Sequence, residues 1–314
     1  MFKRVKQLML VALCCVSCAP MPKVATKEPR THAHSQERWV VYYGNTEPAE
    51  SFVEYDVVLF DRIYHPPIEP LLQDPDRILL AYISAGEVHG YRTDEIALLK
   101  SKNAILADNT DWGSHMVDMT SAEWRSIVMG EITDALNQGF HGVMLDTIEM
   151  PMIAAARRSP ELAEANRQAT IQLIADIRQT YPDIYIMLNR GFPILPEVSS
   201  QLDFILAESI LAETNVSTGQ SKLFPPKTYR EMTTMLQDAR LRSPELKIFT
   251  LDYWNTDDVD GIERLYAIHR DHGFIPYVTS LDLRVYSREP HSKWNNTRAT
   301  GTKPVAIGRE DNDA

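Results

Sequence analysis

GFHGVMLDTIEMP, residues 139–151, sets an apolar run, Val143-Met144-Leu145, directly against an acid, Asp146. The run reads as a buried strand, and burying an unpaired carboxylate is costly. Asp146 is therefore either a hydrogen-bonded structural acceptor or a catalytic group at the open end of a strand. The choice turns on whether the rest of the chain repeats this arrangement.

It does. Short β-rich runs occur at Trp39–Tyr43, Val57–Phe60, Ile78–Ile83, Gly142–Leu145, Ile184–Leu188, Phe204–Ala207, Lys247–Leu251 and Ile275–Thr279. Their near-continuous hydrophobicity suits parallel strands covered on both faces. Helical spacing lies between several of them. Ser121–Gln138 opens with Ser-Ala-Glu-Trp, close to a capping box, and places Trp124, Ile127, Val128, Ile132 and Leu136 on one face. Glu161–Thr180, Tyr229–Leu241 and Val259–His272 follow the same pattern, punctuated by Pro182, Pro244 and Gly273. Eight strand–helix units in residues 38–283 match the roughly 250 residues of a single (β/α)8 TIM barrel, so an α/β fold of that type is expected. A doubly wound open sheet fits less well, because the first strand runs into YYGNTEPAE, which has one glycine and no phosphate loop.

In such a barrel the chemistry lies at the C-terminal strand ends. There the sequence carries Tyr43-Gly44-Asn45, Asp61-Arg62, Ser84-Ala85-Gly86-Glu87, Asp146-Thr147, Asn189-Arg190-Gly191, Glu208-Ser209, Asp252-Tyr253-Trp254 and Thr279-Ser280. Any one of these residues is more often structural than catalytic; all eight ends being polar points to a shared mouth. Aromatic faces beside hydrogen-bonding groups suit a sugar, and two positioned carboxylates suit hydrolysis of its glycosidic bond. The alternatives lack their parts. There is no His-Glu-x-x-His, and the nine histidines show no paired ligand spacing, so neither a metal nor a cofactor is expected. Gly-x-Ser-x-Gly and a Walker loop are absent as well.

The chain has 314 residues, 44% hydrophobic and 24% charged, an ordinary globular composition. Lys3, Arg4 and Lys6 precede an apolar stretch, Leu8–Val16, that is short for a bilayer span and ends in Ser17-Cys18. Residues 1–17 thus resemble a lipoprotein signal, with Cys18 as the lipidation site. Residues 18–37 read as a tether and residues 284–314 as a polar tail. All three cysteines lie at or before Cys18, so the body must be stable without disulfides. Removing the signal takes away three positive charges and moves the formal net charge from −11 to −14. So acidic a body is not expected to bind nucleic acid.

AYISAGEV, WGSHMVDMTSAEWR, GFHGVMLDT, LNRGF, LAES, LDYW and GFIPYVT occur in this order between Ala81 and Thr279, within a resemblance that extends from Tyr42 to Thr279. Together they resemble glycoside hydrolase family 114 and the related Pel-polysaccharide hydrolase domains. His141 stands where the family usually has an acid, a position that precedes the strand. The resemblance implies a (β/α)8 endo-α-1,4-polygalactosaminidase acting on a galactosamine- or N-acetylgalactosamine-containing exopolysaccharide, with Asp146 and Glu208 as the catalytic pair. Of these, Asp146 is expected as nucleophile and Glu208 as acid/base. Tyr43, Asp61, Tyr82, Glu87, Asn189, Arg190, Asp252, Tyr253 and Trp254 are the expected substrate-binding residues. The whole is expected to be a monomer, held by its lipid on the periplasmic face of an outer membrane. The other reading left open is a lipoprotein that binds the glycan without cutting it.

Overall fold

Eight strands form one parallel sheet in chain order: β1 (Trp39–Tyr42), β2 (Val57–Asp61), β3 (Ile78–Ser84), β4 (Gly142–Asp146), β5 (Tyr185–Asn189), β6 (Phe204–Glu208), β7 (Lys247–Tyr253) and β8 (Ile275–Thr279). The computed structural model describes residues 37–289. The expected signal, Cys18 and nearly all of the expected tether lie outside those residues. Within them the expected TIM-barrel architecture is present, with each strand bonded to its sequence neighbour. The strands are almost entirely buried, as their two-sided apolar runs require.

The seven helices among the described residues are α1 (Thr93–Ser101), α2 (Ala122–Gln138), α3 (Glu149–Ala156), α4 (Pro160–Thr180), α5 (Leu195–Val198), α6 (Pro226–Arg242) and α7 (Val259–Asp271). Their ends follow from local chemistry. The Ser121 hydroxyl accepts from the Trp124 N–H at 3.2 Å to start α2. Gly139, at φ 108°, ends it in the left-handed conformation that glycine adopts without steric cost. Ser159 caps α4 and Asp258 caps α7 in the same way as Ser121. The Trp124 indole then donates to the Ala85 carbonyl at 2.7 Å, fixing α2 against the end of β3.

The eight units are unequal. Only short 3-10 turns, Ala49–Phe52 and Leu71–Gln73, follow β1 and β2. After β3 the chain adds a three-stranded antiparallel sheet of Glu87–His89, Ile105–Asn109 and Ser114–Val117, with α1 between the first two strands. A hairpin, Ala212–Thr214 with Ser221–Leu223, follows β6. Segments this short have no period long enough to recognise in a sequence.

Among the described residues no ladder joins β1 to β8. Side chains close that seam instead. Trp39 packs edge-on to Tyr277 at 5.8 Å and to Phe249 at 5.5 Å. Among the described residues no helix follows β8; residues 281–289 form a strap along the seam. The Tyr43 N–H donates to the Leu283 carbonyl at 2.8 Å, and Tyr286 packs on Phe52. Tyr277 donates to the Ser287 carbonyl, and Glu289 pairs with both Arg38 and Arg270.

β4 can approach β5 because Gly142 has no side chain: a Cβ there would sit 2.0 Å from the Tyr185 carbonyl oxygen, a backbone atom that cannot swing away. We expect Gly142→Ala to destabilise the protein by at least about 1–3 kcal/mol, the range for overpacking, measured by urea unfolding. A wild-type midpoint would mean that the two strands are not so tightly held.

Candidate active site

Three neighbouring strands bring three side chains to one point. Asn189, ending β5, donates from Nδ2 to Asp146 Oδ1 at 2.8 Å and to Glu208 Oε2 at 2.6 Å. Asp146 ends β4 and Glu208 ends β6, so one amide on the middle strand ties together the acids on its two neighbours. Tyr253, ending β7, donates its hydroxyl to Glu208 Oε1 at 2.6 Å. Asn189 Oδ1 is buried with no hydrogen-bond partner among the described residues. An unpaired buried acceptor costs about 1–3 kcal/mol, which bonds to two carboxylates can offset because charge strengthens them.

The chain leaves each of these strands in an unusual way. Thr147, Arg190 and Ser209, the residues directly after Asp146, Asn189 and Glu208, have φ of 62°, 55° and 51°. Non-glycine residues seldom occupy this left-handed region, and β-branched threonine least of all. Each is held by tertiary bonds. Thr147 donates its hydroxyl to the Asp146 carbonyl at 2.7 Å and accepts from the Gly86 N–H at 2.9 Å. Arg190 N–H donates to the Leu206 carbonyl and Ser209 N–H to the Leu251 carbonyl, each across to the next strand. Strain concentrated at three adjacent strand ends marks a functional site.

The environment divides the two acids. Burial pushes the Glu208 carboxyl up, the negative charge of Asp146 pushes it further, and the Tyr253 and Asn189 hydrogen bonds together with the Arg190 charge oppose the rise. Tyr43 and Tyr82 stand beside the pair, rings edge-on at 5.0 Å. Burial holds both of their hydroxyls protonated well above the ordinary tyrosine range, with Asp146 adding to the effect. The site therefore presents phenol donors and one acid disposed to keep its proton. A carboxyl raised by burial beside a second acid is the pattern that supports acid–base catalysis.

Arg190 reaches from beyond β5 to donate to the Glu208 carbonyl at 2.9 Å, and its guanidinium lies over the Phe192 ring. Glu149, at the start of α3, receives the Phe192 N–H at 3.0 Å and lies 3.5 Å from Arg190 Nε. The sequence reading missed Glu149, although it stands three residues beyond Asp146 in the same motif.

Not every expected residue joins the group. Asp252 is fully buried on the other side of β7: Oδ1 accepts from the Leu211 and Ala212 N–H groups, and Oδ2 is 2.6 Å from His269 Nε2. Glu87 is buried in the three-stranded sheet, where Asn109 and Ser114 donate to its carboxylate. Trp254 is half-buried and gives its indole N–H to Asp258. Asp61 lies at the rim with Oδ1 accepting from the Ile63 and Tyr64 N–H groups. Among the described residues no three His, Asp or Glu side chains are grouped to hold a metal ion.

Two outcomes follow from this geometry. Tyr253→Phe removes a donor that favours the ionised carboxylate, so the Glu208 titration midpoint should move to higher pH when its carboxyl carbon is followed by NMR. A fall would reverse the assigned effect of that bond. Asp252→Asn should act on folding, costing about 1–3 kcal/mol in urea unfolding because His269 loses its charged partner. An unchanged stability would leave Asp252 without the structural part given to it here.

Comparison with known proteins bears on the family and the fold. The sequence profile of glycoside-hydrolase family GH114 matches residues 21–302. The glycoside hydrolase domain of PelA from Pseudomonas aeruginosa is structurally similar at a TM-score of 0.70 and 23% identity, over 80% of this chain and 97% of that one. Ega3 from Aspergillus fumigatus, whose structure was determined with galactosamine, gives a TM-score of 0.59 at 17% identity, covering 79% and 92%. An uncharacterized protein of Thermotoga maritima is 22% identical over 79% of this chain and 82% of its own length.

Proposed function

The chain belongs to glycoside-hydrolase family GH114, and from that premise we propose that it hydrolyses an α-1,4-linked glycan containing galactosamine or N-acetylgalactosamine, with Asp146 as nucleophile and Glu208 as acid/base. The observation that carries the reading is the Asn189 amide shared between the two carboxylates. Two oxygens that accept from one nitrogen at 2.8 and 2.6 Å cannot be farther apart than those lengths laid end to end. The near oxygens of the two acids thus approach closely, and the retaining arrangement, whose carboxyls lie about 5–5.5 Å apart, is the one proposed. The choice of an amino sugar is supported by the galactosamine bound to Ega3 and by the acidic composition of this chain.

In the first step the Asp146 carboxylate attacks the anomeric carbon as the glycosidic bond breaks. The bonding pair goes to the leaving oxygen, which takes the proton of Glu208. Forming the ester removes the charge of Asp146, one of the causes that raise the Glu208 carboxyl. Glu208 then suits the second step, accepting a proton from the water that attacks the same carbon and releases Asp146. Tyr43 and Tyr82 supply hydroxyls to the sugar, and Arg190 fixes the backbone of Glu208.

We expect Asp146→Asn and Glu208→Gln each to lower reducing-end release from α-1,4-galactosamine polymer by about 10²–10⁴-fold, the usual weight of an acid–base group, with unchanged folding. Proton NMR of the first product should show the α-anomer. A β-anomer would overturn the nucleophilic role of Asp146, and normal turnover by either folded variant would remove that residue from the mechanism. Tight polymer binding without cleavage by the wild type would assign the protein to glycan retention instead.

We also propose that Cys18 carries lipid and keeps the enzyme on the periplasmic face of an outer membrane. The basic Lys3, Arg4 and Lys6, the apolar Leu8–Val16 and the small Ser17 support this. Cys18→Ser should move the protein to the soluble fraction; persistence in the membrane fraction at unchanged mobility would exclude that anchor.

A further inference from the structure

Among the described residues only three aromatic side chains are mostly exposed: Tyr91 at 73%, Tyr64 at 63% and Trp112 at 60%. All three belong to the segments that follow β2 and β3, on one side of the barrel mouth. Single apolar side chains scattered over a surface need no explanation, but rings gathered on one side of a binding mouth do.

The surrounding structure sets these rings in place. The Gly90 N–H donates to the Gly113 carbonyl at 2.9 Å, so Tyr91 and Trp112 follow and precede the two ends of one backbone bond. A Cβ at Gly90 would lie 2.7 Å from that carbonyl oxygen, so the contact depends on glycine. Tyr91 stacks on His89, centroids 5.6 Å apart and planes within 8°. His89 in turn lies within electrostatic reach of Asp61, Glu87 and Asp146. Tyr64 is tied to the same region because its N–H bonds Asp61 Oδ1 at 2.7 Å. Asp61 Oδ2 has no hydrogen bond among the described residues and remains available to a ligand.

We infer that Asp61, Tyr64, His89, Tyr91 and Trp112 form a saccharide-binding rail that receives units of the glycan chain beyond the scissile bond. The inference rests on the glycan reading above and adds to it the direction in which the chain lies, over the β2–β3 side. Aromatic faces pack against the C–H face of a sugar ring, and the free oxygen of Asp61 accepts from a hydroxyl or an ammonium group. Burial holds the His89 imidazole below its ordinary range, with Arg92 adding to the effect, so the ring is mostly neutral at pH 7 and does not repel an amino sugar. A rail leading away from the catalytic pair suits cleavage within a long chain.

The test compares wild type with the double variant Tyr91→Ala, Trp112→Ala on α-1,4-galactosamine polymer and on the tetrasaccharide. The expected result is a fall of about tenfold in the ratio of polymer to tetrasaccharide kcat/KM, the size of effect two stacking rings produce. Leu241→Ala, which alters a side chain 80% exposed on α6, should leave the ratio unchanged. A double variant with the wild-type ratio overturns the rail. Affinity electrophoresis in polymer-containing gels reads binding without turnover. Retarded wild type with unretarded double variant supports the rail, and equal retardation overturns it. If the wild type neither cleaves nor is retarded, the galactosamine reading itself falls and takes the rail with it.

Discussion

One amide group governs the arrangement of the mouth. Asn189 spends both hydrogens of Nδ2 on carboxylates, one from each neighbouring strand, and leaves its own oxygen unpaired. Two acids this close repel when both are ionised, so the pair has to be divided by its surroundings. Burial and the Asp146 charge favour the protonated form of Glu208, and Tyr253 limits the effect by donating to it. The three left-handed residues that follow Asp146, Asn189 and Glu208 show what this alignment costs the backbone. Bonds to adjacent strands hold those residues, so the barrel itself supplies the force that keeps the acids in register.

The irregular parts of the barrel fit around this centre. Between β1 and β2, and between β2 and β3, the connections are 3-10 turns, whereas the β3–β4 connection carries a small sheet and α1. That insertion is fixed by buried polar contacts: Glu87 receives Asn109 and Ser114, and Trp124 binds the Ala85 carbonyl from α2. A buried carboxylate with satisfied acceptors stiffens its surroundings, so the rings carried at Tyr91 and Trp112 stand on a rigid base. Among the described residues the strap through Tyr286 and Glu289 covers the seam beyond β8, joining Phe52 and Arg38 to Arg270.

Much of this was legible in the amino-acid sequence. Eight apolar runs, unevenly spaced, pointed to the barrel, and Ser121, Pro182 and Gly273 stand at helix ends where local chemistry places such residues. The residues Asp146, Asn189, Glu208 and Tyr253 were all recognisable as polar strand ends. What could not be read was which of them would meet. Glu87 and Asp252 have the same sequence character as Asp146, yet their carboxylates bond groups away from the acid centre. Glu149 went unnoticed for the converse reason: it lies on a helix start, outside the strand-end pattern, and is tied to the site only through the Phe192 N–H and Arg190 beyond the end of β5. The strap escaped because a chain segment with no period shows nothing of the surface it will cover.

The sequence by itself determined the order of strands and helices and the end of the barrel at which polar groups collect, because hydrophobic period and capping are local properties. Only the tertiary structure decided which side of each strand faces the mouth. Asp252 and Tyr253 are adjacent, and successive side chains in a strand point to opposite faces. One bonds His269 on α7 and the other bonds Glu208. An antiparallel sheet with one wet face would have revealed the difference as alternation of polar and apolar residues. Here both faces of every strand are covered, the alternation is erased, and the choice is made by strand register within the barrel.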